Sequence, residues 1–220
     1  LETKLKIHKS ALALSMGGAL WILLGVADPL MVEEHMLHTG SEIFSLIAFL
    51  LAAMSLVEIA AHYRLFDYIR EKLCSWNMSL VGQFCSIVVI TFFLSAVLDN
   101  LTTTIVMIQI ARKFFWGRNL LVAAVGIVLS ANAGGAFSPI GDVTTIMLWL
   151  AEKFAAADIL IYGFIPSALS IVVALVFLVR KLVPEERVEM VKDNATPMTN
   201  SEKMVLCLVL GSFMLPIVVK

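Results

Sequence analysis

The stretch FFLSAVLDNLTTTIVM, residues 92–107, decides how the rest of the chain is read. Asp99 and Asn100 stand together inside a tract that is otherwise almost wholly apolar. Further along, SANAGGAFSPIGDVTTIMLW at 130–149 breaks a second apolar tract with Gly134, Gly135, Ser138, Pro139, Gly141 and Asp142. The function turns on what these two interruptions are for.

Their setting is a membrane. The chain of 220 residues is 60% hydrophobic and 15% charged, with a mean hydropathy of +0.94. A soluble domain holds about 45–50% apolar and about 25% charged residues. The excess lies in long runs, which indicates an all-α polytopic integral membrane protein with membrane lipid as its surroundings. A net charge of −1 gives no argument for a nucleic-acid partner, and none is expected. Cys74, Cys85 and Cys207 lack metal-ligand spacing; two lie in apolar segments, so buried thiols and no disulfide framework are expected. No small-residue cleavage site follows LETKLKIHKS. The chain starts at Leu1 and stops in or near an apolar run, so a fragment of a longer protein is expected.

Charge sets the topology. A first span at about 10–27 follows Lys4, Lys6 and Lys9. The segment 28–40 holds acids and histidines without Lys or Arg and reads as an outer loop; a second span follows at about 41–61. Residues 62–77 carry Arg64, Arg70 and Lys72, with Leu65, Ile69 and Leu73 on one face, which reads as an interfacial amphipathic helix. Lys and Arg accumulate on the cytoplasmic side. The tract 79–111 ends at Arg112, Lys113 and Arg118, also inside, so it returns to the side it left. Its 33 residues are too few for two crossings of about 20 each plus a turn. A re-entrant hairpin over 79–112 fits, with Asp99-Asn100 at its tip. The tract 119–155 reads as an unwound crossing with half-helices near 119–131 and 141–155. A span at 159–179 returns inside. The expected organisation is a first repeat over 1–182, a cytoplasmic linker over 183–203 and the start of a second repeat over 204–220.

Two readings compete at the breaks. Aspartate is a preferred N-cap, so Asp99 and Asp142 could cap the helices after them. A neutral Ser or Asn would cap as well without a buried charge, and ionisable groups at membrane depth are costly and mark ion or proton paths. The two roles are compatible. The breaks supply hard oxygen ligands: Ser95, Asp99, Asn100, Thr102, Thr103, Asn132, Ser138, Asp142, Thr144, Thr145 and freed carbonyls. A carboxylate that holds either a proton or a cation is the minimal chemistry of a cation/proton exchanger. The transported Na⁺, Li⁺ and H⁺ are cargo, and no resident cofactor is expected. Glu58 and His62, one turn apart, read as an interfacial pair more than a proton relay; His8, His35 and His38 read as surface residues. Trp21, Trp76, Trp116 and Trp149 read mostly as a membrane-interface belt.

SAVLDNLTTTIVM followed by SANAGGAFSPIGDVTTIMLW resembles the NhaD-type sodium/proton antiporters, in the ion transporter superfamily with arsenite permeases and divalent-anion/sodium symporters. The resemblance implies two inverted repeats, each with a re-entrant hairpin and a broken helix, and a homodimer. It places Ser95, Asp99, Asn100, Asn132, Asp142, Thr144 and Thr145 on the family's functional positions, while Thr102 belongs to the same tip motif. It also implies Na⁺ exchange for H⁺, with Asp99 and Asp142 as the exchanging carboxylates, and a bacterial inner membrane. The related anion symporters have Ser-Asn-Thr at the tip; the acid here favours cation exchange over a dicarboxylate or oxyanion permease. A membrane-embedded enzyme lacks support, because no HExxH or GxSxG-type motif is present.

Overall fold

A computed structural model describes residues 8–76, 78–184 and 198–219, and every regular element among them is an α-helix. The chain divides into two compact units, Leu1–Ala48 and Phe49–Lys220. The first unit holds α1 (Lys9–Ala27) and the beginning of α2 (Pro29–His62). α1 is apolar on all sides and its side chains are mostly exposed, as expected of a helix that faces lipid.

The outer loop expected over 28–40 is helical instead, because α2 begins at Pro29. Proline suits the first position of a helix, where its missing N–H is not needed. The Leu, Met, Glu and His residues that follow tolerate a helix well. His38 therefore lies on a helix and pairs with Glu42 one turn on, at 3.7 Å and well exposed.

In the second unit, α3 (Leu65–Ser75) follows a left-handed Arg64 and buries Leu65 and Leu73, the apolar face expected of it. The hairpin is α4 (Leu80–Ser95) and α5 (Asn100–Ala111), turning at 96–99. Ser79 caps α4 and Asp99 caps α5. At 1.5 Å per residue these helices reach about 24 and about 18 Å, short of the roughly 30 Å hydrocarbon core. Neither crosses a bilayer alone.

The discontinuous helix is α6 (Gly117–Ala136) and α7 (Val143–Leu150), separated by an irregular stretch at 137–142. Its halves differ from the expected 119–131 and 141–155: the first runs further and the second stops sooner. The chain leaves α7 through a left-handed Glu152. α8 (Ala156–Val179) then starts a new helix. α9 (Asn200–Val219) starts earlier than the expected 204, because Thr199 and Glu202 cap it reciprocally, at 2.7 Å to the Thr199 N–H and 3.3 Å to the Glu202 N–H. Most of the expected linker at 183–203 lies outside the described residues.

Four segments, Ser10–Ala27, His35–His62, Gly117–Ala136 and Ala156–Val179, are long and apolar enough to cross a membrane. The chain is a multi-pass integral membrane protein. Packing is closest between α4 and α6. Gly126, Ser130 and Gly134 form a small-residue stripe at four-residue spacing on α6. A Cβ on Gly126 would stand 3.0 Å from Phe84 and Val88, and one on Gly134 would overlap the Phe92 carbonyl. Small residues let helix backbones meet this way inside a membrane, and hydroxyls tie them. Ser130 Oγ donates to the Val88 carbonyl and Ser95 Oγ to the Ala131 carbonyl, both at 2.6 Å.

Two side-chain expectations are corrected. Trp149 is not a belt residue: it is buried and meets Phe49 edge-on at 6.1 Å. The cysteines are not the buried thiols expected: Cys74 and Cys85 are half-buried and Cys207 is exposed. Exposure toward lipid costs a thiol nothing, so an apolar run does not dictate burial.

Candidate functional site

The two breaks meet. The C-terminal ends of α4 and α6 and the N-terminal ends of α5 and α7 converge on one junction. A Cβ on Gly141 would lie 2.6 Å from the Ser95 carbonyl oxygen and 2.8 Å from the Gly135 Cα, so glycine is what permits the approach. Asn100, the first residue of α5, reaches across to the other break. Its Nδ2 donates to Asp142 Oδ2 at 2.7 Å and more weakly to Asn132 Oδ1 at 3.4 Å. The Asn132 amide is oriented by the Val128 carbonyl, which accepts its Nδ2 at 2.8 Å, so its oxygen faces Asn100.

Both acids cap helices. Asp99 Oδ1 accepts the Thr102 N–H at 2.8 Å, and Asp142 Oδ1 accepts the Thr144 N–H at 2.7 Å. The backbone at each cap is extended, as N-caps require. Thr145 is buried and its hydroxyl donates to the Asp142 carbonyl at 2.8 Å, which steadies the turn into α7. Among the described residues neither acid has an ion-pair partner. No Lys or Arg occurs within 95–111 or 119–152.

Depth follows from helix geometry. Asp99 lies twelve residues above Ala111, and Asn132 twelve above Leu120. Each distance is about 18 Å along a helix, a little past the middle of a roughly 30 Å hydrocarbon core when the bases sit at the Arg112-Lys113-Arg118 belt. Helix C-termini carry roughly half a negative charge and N-termini half a positive one. Here the positive ends are answered by Asp99 and Asp142. The negative ends of α4 and α6 face the same junction; Asp142 Oδ2 is taken by the Asn100 amide, and only the second oxygen of Asp99 accepts no hydrogen bond among the described residues.

The structure thus brings together Asn100, Asn132 and Asp142 directly, with Ser95, Asp99, Thr102 and Thr145 in the surrounding turns. Thr144 contributes its backbone N–H, and its side chain is exposed. Ser138 is buried, its hydroxyl accepting the Ile140 N–H at 3.3 Å within the break. Sequence reasoning missed Ser130 and the glycine stripe. The four-residue spacing of small residues was the available signal. Among the described residues no cluster of three or more His, Cys, Asp or Glu could hold a metal ion. Glu58 and His62 are both exposed on α2, away from the junction's hydrogen bonds.

The family profile described as CitMHS, citrate transporter, matches residues 3–219. Among curated proteins, the chain is 38% identical over 178 residues to "Sodium/proton antiporter 2" of Arabidopsis thaliana, covering 79% of this chain and 41% of that protein. It is 36% identical over 170 residues to "Na(+)/H(+) antiporter NhaD" of Alkalimonas amylolytica, covering 74% and 35%. The Vibrio parahaemolyticus protein of the same name is 29% identical over 211 residues, covering 93% and 50%. The chain therefore spans at most about half the length of these curated relatives. No solved structure matches it at a significant level.

Proposed function

Because the chain belongs to the citrate transporter family, we propose that it is the ion-handling part of a secondary transporter that exchanges Na⁺, with Li⁺ as a second cargo, for H⁺. The contact between Asn100 Nδ2 and Asp142 Oδ2 at 2.7 Å carries the proposal. It joins the hairpin tip to the break in the next helix at membrane depth, in surroundings with acids and without Lys or Arg. Such a junction suits a cation. The carboxylates attract the ion, side-chain amides and freed carbonyls complete an oxygen shell, and a proton replaces the ion when the carboxylate is discharged. Rotation of the Asn100 amide by half a turn would present its oxygen, in place of its N–H groups, to an arriving ion. Site residues in this reading are Ser95, Asp99, Asn100, Thr102, Asn132, Asp142, Thr144 and Thr145. The relatives described above, each named as a sodium/proton antiporter, support the same cargo.

The family description favours a second reading, a citrate permease coupled to an ion. A tricarboxylate needs cationic or abundant hydroxyl donors, and two unpaired acids at the junction would repel it. Na⁺ exchange is therefore preferred. The remaining proposals rest on the residue pattern and the family resemblance: transport with no chemical bond made or broken, no resident cofactor, a re-entrant hairpin within one of two inverted repeats, a homodimer, and a bacterial inner membrane.

Two experiments test this. The intact protein in proteoliposomes with an internal pH dye should move protons on addition of Na⁺ or Li⁺. Labelled citrate uptake without Na⁺-driven proton movement would select the permease. Single cysteines at Ser75 and Arg118 should label from the same face of the membrane; labelling from opposite faces would make the hairpin a crossing.

A further inference from the structure

Thr103 Oγ1 is, among the described residues, the buried side-chain nitrogen or oxygen without a hydrogen-bond partner. The residue is 0% exposed and lies on α5, one turn below the hairpin tip. Helical threonines in such places usually donate to the carbonyl four residues back. Thr91 does so to Ile87 and Thr104 to Asn100, both at 2.7 Å. The carbonyl four back from Thr103 is that of Asp99; it accepts the Thr103 N–H at 3.1 Å, as in any helix, but no bond from the Thr103 hydroxyl. The neighbouring buried hydroxyls of Ser95 and Ser130 are committed to carbonyls of the facing helices. Thr103 alone of this group is unspent. Buried polar groups are almost always satisfied, so an orphan in a native fold calls for a partner that comes and goes.

Its position names the partner. Residues three apart on a helix are neighbours on its surface, so Thr103 stands beside Asn100, whose amide faces Asn132 and Asp142. A hydroxyl oxygen is a hard ligand suited to an alkali cation. We infer that the Thr103 hydroxyl is a further oxygen ligand of the transported cation, engaged when the ion sits at the Asn100–Asp142 junction. This rests on the cation-exchange reading above and adds a residue to its site.

The test uses the intact transporter, with NaCl as the probe and choline chloride as the control for ionic strength. Two readouts are taken: the Na⁺-induced rise in unfolding temperature in detergent, and Na⁺-dependent proton flux after reconstitution. Thr103→Val keeps the shape and removes the hydroxyl. Apparent Na⁺ affinity should weaken about tenfold in both readouts, the expected cost of one lost ligand to a charged partner. Stability in choline should be unchanged or raised, because an apolar isostere replaces an unsatisfied group. Thr103→Ser should restore the affinity. A Thr103→Val protein whose Na⁺ affinity stays within about twofold of the parent overturns the inference. If the valine variant does not fold, Thr103→Ala and Thr103→Ser are compared, and equal Na⁺ affinities in the two overturn it equally. Asp142→Asn, measured alongside, separates the two levels. Normal Na⁺ affinity in that variant sinks the exchange reading itself; its loss beside a normal Thr103→Val sinks the Thr103 assignment alone.

Discussion

The two breaks hold the same residue in the same local job, and they differ in what is left over. Asp99 and Asp142 each spend one carboxylate oxygen on a helix cap, at 2.8 and 2.7 Å. The second oxygen of Asp142 accepts the Asn100 amide. The second oxygen of Asp99 accepts no hydrogen bond among the described residues. A cap alone would need neither spare oxygen, since serine or asparagine caps as well. In the proposed exchange, Asp99 would offer an oxygen that is already open, whereas Asp142 would first have to give up the Asn100 amide.

The largest effect should come from the acids. Asp99→Asn and Asp142→Asn should each lower Na⁺-induced proton flux by about 100-fold or more, the scale of a lost charged ligand, while the caps survive. The pair should then separate in stability. Asp142→Asn weakens a charge-assisted tie between hairpin and break and should lower the unfolding temperature; Asp99→Asn should leave it nearly unchanged. Equal stability losses would erase the distinction drawn here. Asp→Glu at either place should leave partial exchange with a displaced pH profile, because the carboxyl persists but moves by one methylene.

Gly134→Val comes next. The side chain would overlap the Phe92 carbonyl and pry α6 from α4, at about 1–3 kcal/mol or more of stability, read as thermal unfolding in detergent. A variant as stable as the parent would mean that the breaks are not held together by this stripe. Asn100→Ala removes the bridge between the breaks and should weaken apparent Na⁺ affinity about tenfold with a smaller change in maximal rate. An unchanged half-saturation would leave the two breaks energetically independent.

Thr145→Ala should show the smallest resolvable effect, about threefold to tenfold in Na⁺ affinity, through loss of the bond that steadies the Asp142 turn. Thr144→Ala should fall below it, since the cap at that position uses the backbone N–H. The reverse order would place the exposed Thr144 hydroxyl on the ion and demote the buried one.

The hairpin was legible in the sequence because its evidence is local. Basic residues at both ends of an apolar tract of 33 residues leave few other geometries, and Asp99-Asn100 marks the turn. The break at 137–142 was legible from clustered glycine, proline and serine, but its edges were not. Where α7 ends depends on Glu152 taking a left-handed conformation, which no pattern announces. The early start of α2 was hidden by acids and histidines that resemble a loop yet tolerate a helix. Least legible were the long-range partners. That Asn100 would meet Asp142, 42 residues on, or that Ser95 would spend its hydroxyl on Ala131, follows from packing of α4 against α6. The candidate residues could be named from the sequence; their division into tethers, caps and free oxygens could not.

The most direct measurement is Na⁺ binding to the purified intact protein by calorimetry across a pH series, in buffers of different ionisation enthalpy so that released protons are counted. If Na⁺ and H⁺ share Asp99 and Asp142, binding releases protons, and apparent Na⁺ affinity weakens as the pH falls and protons occupy the carboxylates. Na⁺ binding of pH-independent affinity, with no proton released, would contradict the account.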